Sequence, residues 1–304
     1  ENESVEYDKE DYFEVDITGL TPGTTYEYQI GKTGSETDWS KTYSFTTEKG
    51  NTKEFSFVAI GDTQATNWSG TGGSDTNKGA MYAQAAIQQA VANTDDPAFI
   101  MNTGDIGEKG WRVNDWNLYF KALGESGTTI PHFAALGNHD VSEDTDNFDL
   151  HFNHPSNGAD AFSEEALDAM EEYIKNPEET VYSWNYGEAH FIVLNTGAYD
   201  RTVAVDEMIL EAQREWLQKD LEANKDADWI VLMIHHLYTD LNNYLMKDFL
   251  SRIRLIPYLY LEEQMTVGQM RHSESLNTII LKKYFGQLGH VCLSEAKLIG
   301  MQAD

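Results

Sequence analysis

Cysteine is nearly missing from this 304-residue chain: Cys292 stands alone, so no disulfide can form within it. A lone cysteine does not by itself fix the redox compartment. Proline is scarce, with six residues. No apolar run approaches the roughly 20 residues that a membrane span needs. No export signal is visible, and the chain opens on ENESVEYD without Met, so an export signal could have been removed or lie outside this sequence. Positive charge is the most conspicuous shortage. Lys and Arg number 21 against 51 Asp and Glu, a formal net charge of −30. Such a surface repels polyanions, which excludes nucleic-acid binding through a basic face. If the chain handles phosphate, it needs a local source of positive charge, and a metal ion is the simplest one.

The charge is uneven. Residues 1–236 carry 44 acids and 14 Lys or Arg; residues 237–304 carry seven of each. The whole excess therefore lies before Leu237, and the last 68 residues differ in composition from the rest. Core-forming residues are plentiful: apolar residues make up 40% and aromatics 12%, with 16 Tyr, 13 Phe and seven Trp, which argues against a disordered chain.

Residues 12–17 (YFEVDI), 20–30 (LTPGTTYEYQI) and 43–47 (YSFTT) alternate with period two between Gly and Pro punctuation, the pattern of antiparallel strands. This opening resembles a fibronectin type III module, with Tyr26 placed like a tyrosine-corner residue. Only about 48 residues are present against the roughly 100 of a complete sandwich. The expected division is a partial all-β module at 1–48, a linker at 49–53, and a second domain at 54–304 whose last part, 237–304, is atypical.

After the linker the grammar becomes α/β. Apolar runs at 55–60 (FSFVAI), 98–102 (AFIMN), 133–136 (FAAL), 190–196 (HFIVLNT) and 229–234 (WIVLMI) read as strands. Helical patterns fall at 78–93, near 114–123, at 163–175 and at 207–224, the last with Ile209, Ala212, Trp216, Leu217 and Leu221 on one face.

The strand exits carry the chemistry. FSFVAI runs into Gly61-Asp62-Thr63-Gln64. AFIMNT runs into Gly104-Asp105. FAAL runs into Gly137-Asn138-His139-Asp140. WIVLMI runs into His235-His236. In α/β sheets the carboxyl ends of strands converge on one crevice. Carboxylates, an amide oxygen and imidazoles gathered there suit Mn, Fe, Zn or Co better than an all-oxygen calcium site. Two such ions about 3.5–4 Å apart can activate water and clamp a phosphoryl group.

GDTQ, GDIG, GNHD and VLMIHH, in this order, resemble the calcineurin-like metallophosphoesterases. The fibronectin-like opening and YSWNYGEAHFIVLNTG narrow the resemblance to the purple-acid-phosphatase-like branch. It covers most of residues 12–238. It implies a β-sandwich flanked by helices, an extracellular or cell-surface location, and a small phosphate-ester substrate hydrolysed by hydroxide held on two divalent metals (Mn, Zn or Fe). Residue by residue, it implies Asp62 on the first metal, Asp105 bridging, and Asn138 and His235 on the second. Gln64 stands where many relatives have a histidine ligand, and its amide either binds weakly or acts from behind the ligands. His139 faces the substrate as acid or charge stabiliser, and Asp140 orients it. His236 is read as a substrate-side residue, with packing as the alternative. His132 and His190 lie in strand patterns and read as packing residues; His151 and His154 are open to a lid role.

Two departures stand out. The position of the family's iron-binding Tyr, three residues after the bridging Asp, holds Glu108, which implies a colourless site. The closing Gly-His-X-His motif is missing. Aligning 282–297 (KKYFGQLGHVCLSEAK) with the approach to that motif puts it on Glu295-Ala296-Lys297-Leu298; Gly289-His290-Val291-Cys292 is a degenerate alternative. The loss coincides with the charge shift, so residues beyond about Tyr238 read either as a disrupted frame or as a natural variant. It also leaves open a catalytically weak or inactive surface-binding module as the alternative function. Oligomeric state is not legible.

Overall fold

The computed structural model describes residues 12, 14–31, 38–50, 52–67, 78–141, 147–158, 161–164, 167, 177–196, 203–235 and 278–282. The opening segment forms one antiparallel pair, β1 (Thr25–Tyr28) and β2 (Tyr43–Thr46), registered Thr25↔Thr46. The Tyr26 hydroxyl accepts the Thr21 N–H at 2.8 Å, the bond back to upstream backbone that a tyrosine corner makes. The strand expected over 12–17 is a correction: its described residues are not in a strand, and Val15 and Ile17 are 78% and 56% exposed. Alternation makes a strand only where a neighbouring strand covers the apolar face. The β1/β2 pair touches the chain around residues 125–128: the Tyr28 hydroxyl donates to the Thr128 carbonyl at 2.7 Å, and Lys41 pairs with Glu125.

Beyond residue 54 the architecture is mixed α/β. One sheet contains β3 (Ser56–Ile60), β4 (Pro97–Asn102) and β5 (His132–Ala134), all parallel, in the order β3-β4-β5. The second contains β6 (Tyr182–Tyr186), β7 (Ala189–Val193), β8 (Trp229–Met233) and β9 (Thr278–Lys282), with β7/β8 parallel and the other pairs antiparallel. Strand β6 was not among the expected strands, because Tyr-Ser-Trp-Asn-Tyr reads as aromatic rather than as an aliphatic run. Strand β9, in the atypical tail, pairs Thr278 with Met233.

Strand residues alternate between two buried faces. Phe99, Met101, Tyr182, Phe191, Val193, Val231 and Met233 fill the space between the sheets. The rings interlock there: Phe99 stacks on Phe57 at 5.2 Å and meets Phe191 edge-on at 5.0 Å, and Phe133 stacks on Trp184 at 4.0 Å. Val58, Ile100, Ile192, Ile230 and Leu232 belong to a second cluster with the helices. Helix α1 (Lys78–Ala92) contributes Ala83 and Ile87, and α2 (Val113–Leu123) contributes Trp116, Tyr119 and Leu123. Two short helices come next, α3 (Ser126–Thr129) and α4 (Asn147–His151). Helix α5 (Val203–Ala223) starts four residues before the expected 207 and buries Trp216, Leu217 and Leu221 as its apolar face predicts. The helical pattern at 163–175 lies largely outside the described residues.

Candidate metal centre

The parallel ladder of β3 and β4 continues past both strand ends. Thr103 N–H donates to Ile60 O at 2.8 Å, Asp62 N–H to Gly104 O at 3.0 Å, Gln64 N–H to Asp105 O at 2.8 Å, and Ala65 N–H to Ile106 O at 2.9 Å. The two exit loops are therefore zipped together. Asp62, Gln64 and Asp105 each take a left-handed backbone, with φ of 50°, 37° and 54°. Non-glycine residues seldom adopt this conformation, and it clusters where function over-determines the backbone. Gly104 (φ 108°) lies so close to the third and fourth loops that a Cβ on it would stand 2.7 Å from His235 Nδ1 and 2.8 Å from Gly137 Cα.

Four strand ends thus meet. One ligand atom each from Asp62, Asp105 and His235 fall within 4.8 Å of one another. His235 Nε2 stands 3.2 Å from Asp105 Oδ1 and 3.1 Å from Asn138 Oδ1. His235 and Asp105 are buried; Asp62 and Asn138 open to solvent, so the cleft is accessible on that side. The His235 Nδ1–H is engaged by the Thr103 carbonyl at 3.0 Å, and its backbone N–H donates to Thr196 Oγ1 at 2.9 Å. That arrangement fixes the ring and points Nε2 at the oxygens, as metal-binding imidazoles are held.

Electrostatics favour a cation here. Burial alone would lower the His235 pKa, yet the hydrogen bond and charge of Asp105, with the charges of Asp62 and Asp140, raise it. Burial would raise the Asp105 pKa, but His235 and the backbone N–H and charge of His139 lower it. An oxygen-rich pocket that draws a proton onto His235 suits a divalent ion bound to the same atoms. The donor set of carboxylate, amide oxygen and imidazole fits Mn, Zn or Fe.

His139 reaches the same cleft. Its backbone N–H donates to Asp105 Oδ1 at 2.9 Å, and its Nδ1 meets the main-chain carbonyl of Glu108 at 2.8 Å. Nδ1 therefore carries a hydrogen, and Nε2 faces Asp105 Oδ2 at 3.9 Å. The expected role of Asp140 needs correction. Its carboxylate does not bond to His139. Oδ1 accepts the N–H groups of Ile106 (2.8 Å) and Gly107 (3.3 Å), and Oδ2 accepts Gly137 N–H (2.9 Å). Burial, then the Asp105 charge, raises its pKa to about 7 against those amides and His235. Three N–H donors face the group, so Asp140 clasps two loops as a carboxylate, and Glu108 holds the His139 ring. The Gln64 side-chain NH₂ stands 3.4 Å from Asp105 Oδ2.

His236 and the candidate motifs at 289–292 and 295–298 lie outside the described residues. The remaining expected packing histidines are placed. His190 is buried with Nε2 2.6 Å from Asp220 and Nδ1 2.8 Å from Asn185. His132 contacts the Tyr119 hydroxyl at 2.9 Å. The lid reading of His151 and His154 is not what the structure shows: His151 stacks on Trp116 and Phe120, and His154 is buried on Tyr182 and Phe152. Thr103, Thr196 and the Glu108 carbonyl were missed. They act through backbone bonds or through a hydroxyl at a strand end, for which residue type gives no signal.

The sequence is similar to those of known phosphoesterases. The sequence profile described as calcineurin-like phosphoesterase matches residues 55–259, and that described as the purple acid phosphatase N-terminal domain matches 1–47. Acid phosphatase type 7 of Mus musculus is 25% identical over 229 residues, 73% of this chain and 44% of its own. Purple acid phosphatase 13 of Arabidopsis thaliana is 26% identical over 251 residues, 71% of this chain and 41% of its own. The chain thus spans less than half the length of these relatives. A purple acid phosphatase, PPD1, from yellow lupin seeds superposes with a TM-score of 0.48 at 19% identity, over 71% of this chain and 37% of that one.

Proposed function

The chain belongs to the calcineurin-like phosphoesterase family, and on that premise we propose that it hydrolyses small phosphate esters at a two-metal centre. The observation that carries this reading is the meeting of Asp62, Asp105 and His235 within 4.8 Å, with Asn138 Oδ1 on the same imidazole nitrogen. In this reading Asp62 would hold one ion and Asn138 and His235 the other, with Asp105 placed to serve both. The two oxygens of Asp105 support that role, since Oδ1 faces His235 and Oδ2 faces Gln64. Bound divalent ions would supply positive charge for phosphate in a protein of net charge −30 and bring the ionisation of water near neutral pH.

The side chains do the rest. With Nδ1–H on the Glu108 carbonyl, His139 presents Nε2 to the cleft. From there it can stabilise charge on the phosphate or give a proton to the leaving oxygen. Glu108 in place of a tyrosine ligand favours Mn, Zn or ferrous iron. His236 keeps its proposed substrate-side place. The β1/β2 segment is proposed as part of a fibronectin-like module joined by residues 49–53 to the phosphoesterase domain. By analogy with relatives we place the protein outside the cytoplasm; among the described residues no helix is long and apolar enough to cross a membrane.

Metal analysis after dialysis, joined to hydrolysis of an aryl phosphate with Mn²⁺, Zn²⁺ or Fe²⁺, tests the proposal. Bound metal and metal-dependent turnover are expected. Absence of both would replace the enzyme with a binding-only module, a reading that the matched phosphatases do not favour.

A further inference from the structure

Strand β5 is the edge of its sheet, and it leads directly into the loop that carries Asn138, His139 and Asp140. Its inner side is bonded to β4, where Ala135 N–H donates to Asn102 O at 2.8 Å. The N–H of Ala134 therefore points outward, away from the sheet. It is met by His154 Nε2 at 3.1 Å and by the Tyr182 hydroxyl at 3.1 Å. Tyr182 in turn donates to Ala134 O at 2.8 Å. Because His154 Nε2 accepts, its ring hydrogen sits on Nδ1, which is sealed from solvent and has only the Glu179 main-chain carbonyl to favour it. His154 is 4% exposed, stacked at 4.5 Å on Tyr182 and at 5.0 Å on Phe152. A second proton would bury a charge among aromatic rings and set an N–H against the Ala134 N–H.

We propose that His154 is an acid-release latch: protonation of its Nε2 removes one of the two acceptors of the Ala134 N–H, leaving only the Tyr182 hydroxyl, and so loosens the outer edge of β5 and with it loop 137–140. The groups facing it offer little to hold a charge. β5 brings His132, whose Nδ1 is covered and unpartnered. β6 brings Tyr182, and α2 brings Tyr119, which is bonded to His132. α4 brings Phe148 beside the ring, and its titratable Asp149 and His151; His151 is stacked elsewhere, on Trp116. The one favourable group is the main-chain carbonyl of Glu179, which burial and His132 outweigh, so the His154 pKa falls to about 3.

The test needs neither metal nor substrate, so its failure is separate from failure of the phosphoesterase reading. The full chain is acidified from pH 7 while near-ultraviolet circular dichroism follows its packing, with H154Q beside it. Gln offers an acceptor near the Nε2 position and does not titrate. Wild type is expected to lose its signal in a transition that takes up about one proton more than in H154Q, whose midpoint lies lower by about half a pH unit or more. Coincident acid limbs would overturn the latch. Histidine side-chain nuclear magnetic resonance of the wild type decides if H154Q fails to fold. The His154 signal should take up its proton only together with the loss of packing around β5, and titration near its ordinary value of about 6.5 with that packing intact would also overturn it.

Discussion

Adding one methyl group at Gly137 tests how tightly the loops set the site. A Cβ there would lie 2.9 Å from Asp105 Cα and overlap both the Asp105 N and its Oδ1. The obstacle is mainly backbone, and that backbone is pinned: Asp105 O accepts Gln64 N–H at 2.8 Å, and Gly104 O accepts Asp62 N–H at 3.0 Å. Relief requires a shift of about 1 Å in one of two zipped loops. Overpacking of this kind costs about 1–3 kcal/mol. Displacing the support of a metal ligand weakens binding by about 10–100-fold. G137A is therefore expected to lose about 1–3 kcal/mol in urea unfolding and at least tenfold in Mn²⁺ affinity by calorimetry, while remaining folded. If G137A binds Mn²⁺ as wild type does, Asp105 is not held by this contact and the loops do not set the ligand geometry.

Three more perturbations probe the same framework. D140N keeps the shape but turns an NH₂ toward at least one of the N–H groups of Ile106, Gly107 or Gly137, and should cost about 1–3 kcal/mol; unchanged stability with lost turnover would instead restore Asp140 as the orienter of His139. Metal binding should release a proton from His235, so Mn²⁺ affinity should fall as pH falls through its raised pKa; calorimetry in buffers of different ionisation enthalpy reads the proton count. In the metal-free protein the sign reverses. The unfolded chain loses that proton first, near pH 6.5, so this contribution to stability is present below that pH and lost as pH rises through the raised folded value. F99A removes a 1%-exposed ring that stacks on Phe57 and meets Phe191 edge-on, and should cost about 3–5 kcal/mol in urea unfolding.

Much of the site was legible because strand ends announce themselves. FSFVAI, AFIMN and WIVLMI could hardly be anything but buried strands, and their exits deliver Asp62, Asp105 and His235 in turn. The residue string does not contain the partner of each polar atom. Asp140 beside His139 reads as a carboxylate–imidazole pair, yet strand geometry turns it to backbone amides instead. His154, in an acidic connection, gave no sign that it would meet an amide twenty residues back on β5. The alternation at 12–17 predicted a strand whose covering neighbour is not present among the described residues.

The strained backbone explains why the zipper matters. Asp62, Gln64 and Asp105 all sit at positive φ, which disfavours L-residues by roughly 1–2 kcal/mol each. Four inter-loop bonds between 2.8 and 3.0 Å hold them there. Left to itself each residue would relax toward φ < 0, swinging its side chain out of the cleft. Strain and ladder together therefore place two carboxylates against one imidazole, an arrangement that mutual repulsion would otherwise open. A cation between them removes that repulsion, so the bound ion should stabilise the loops as much as the loops hold the ion.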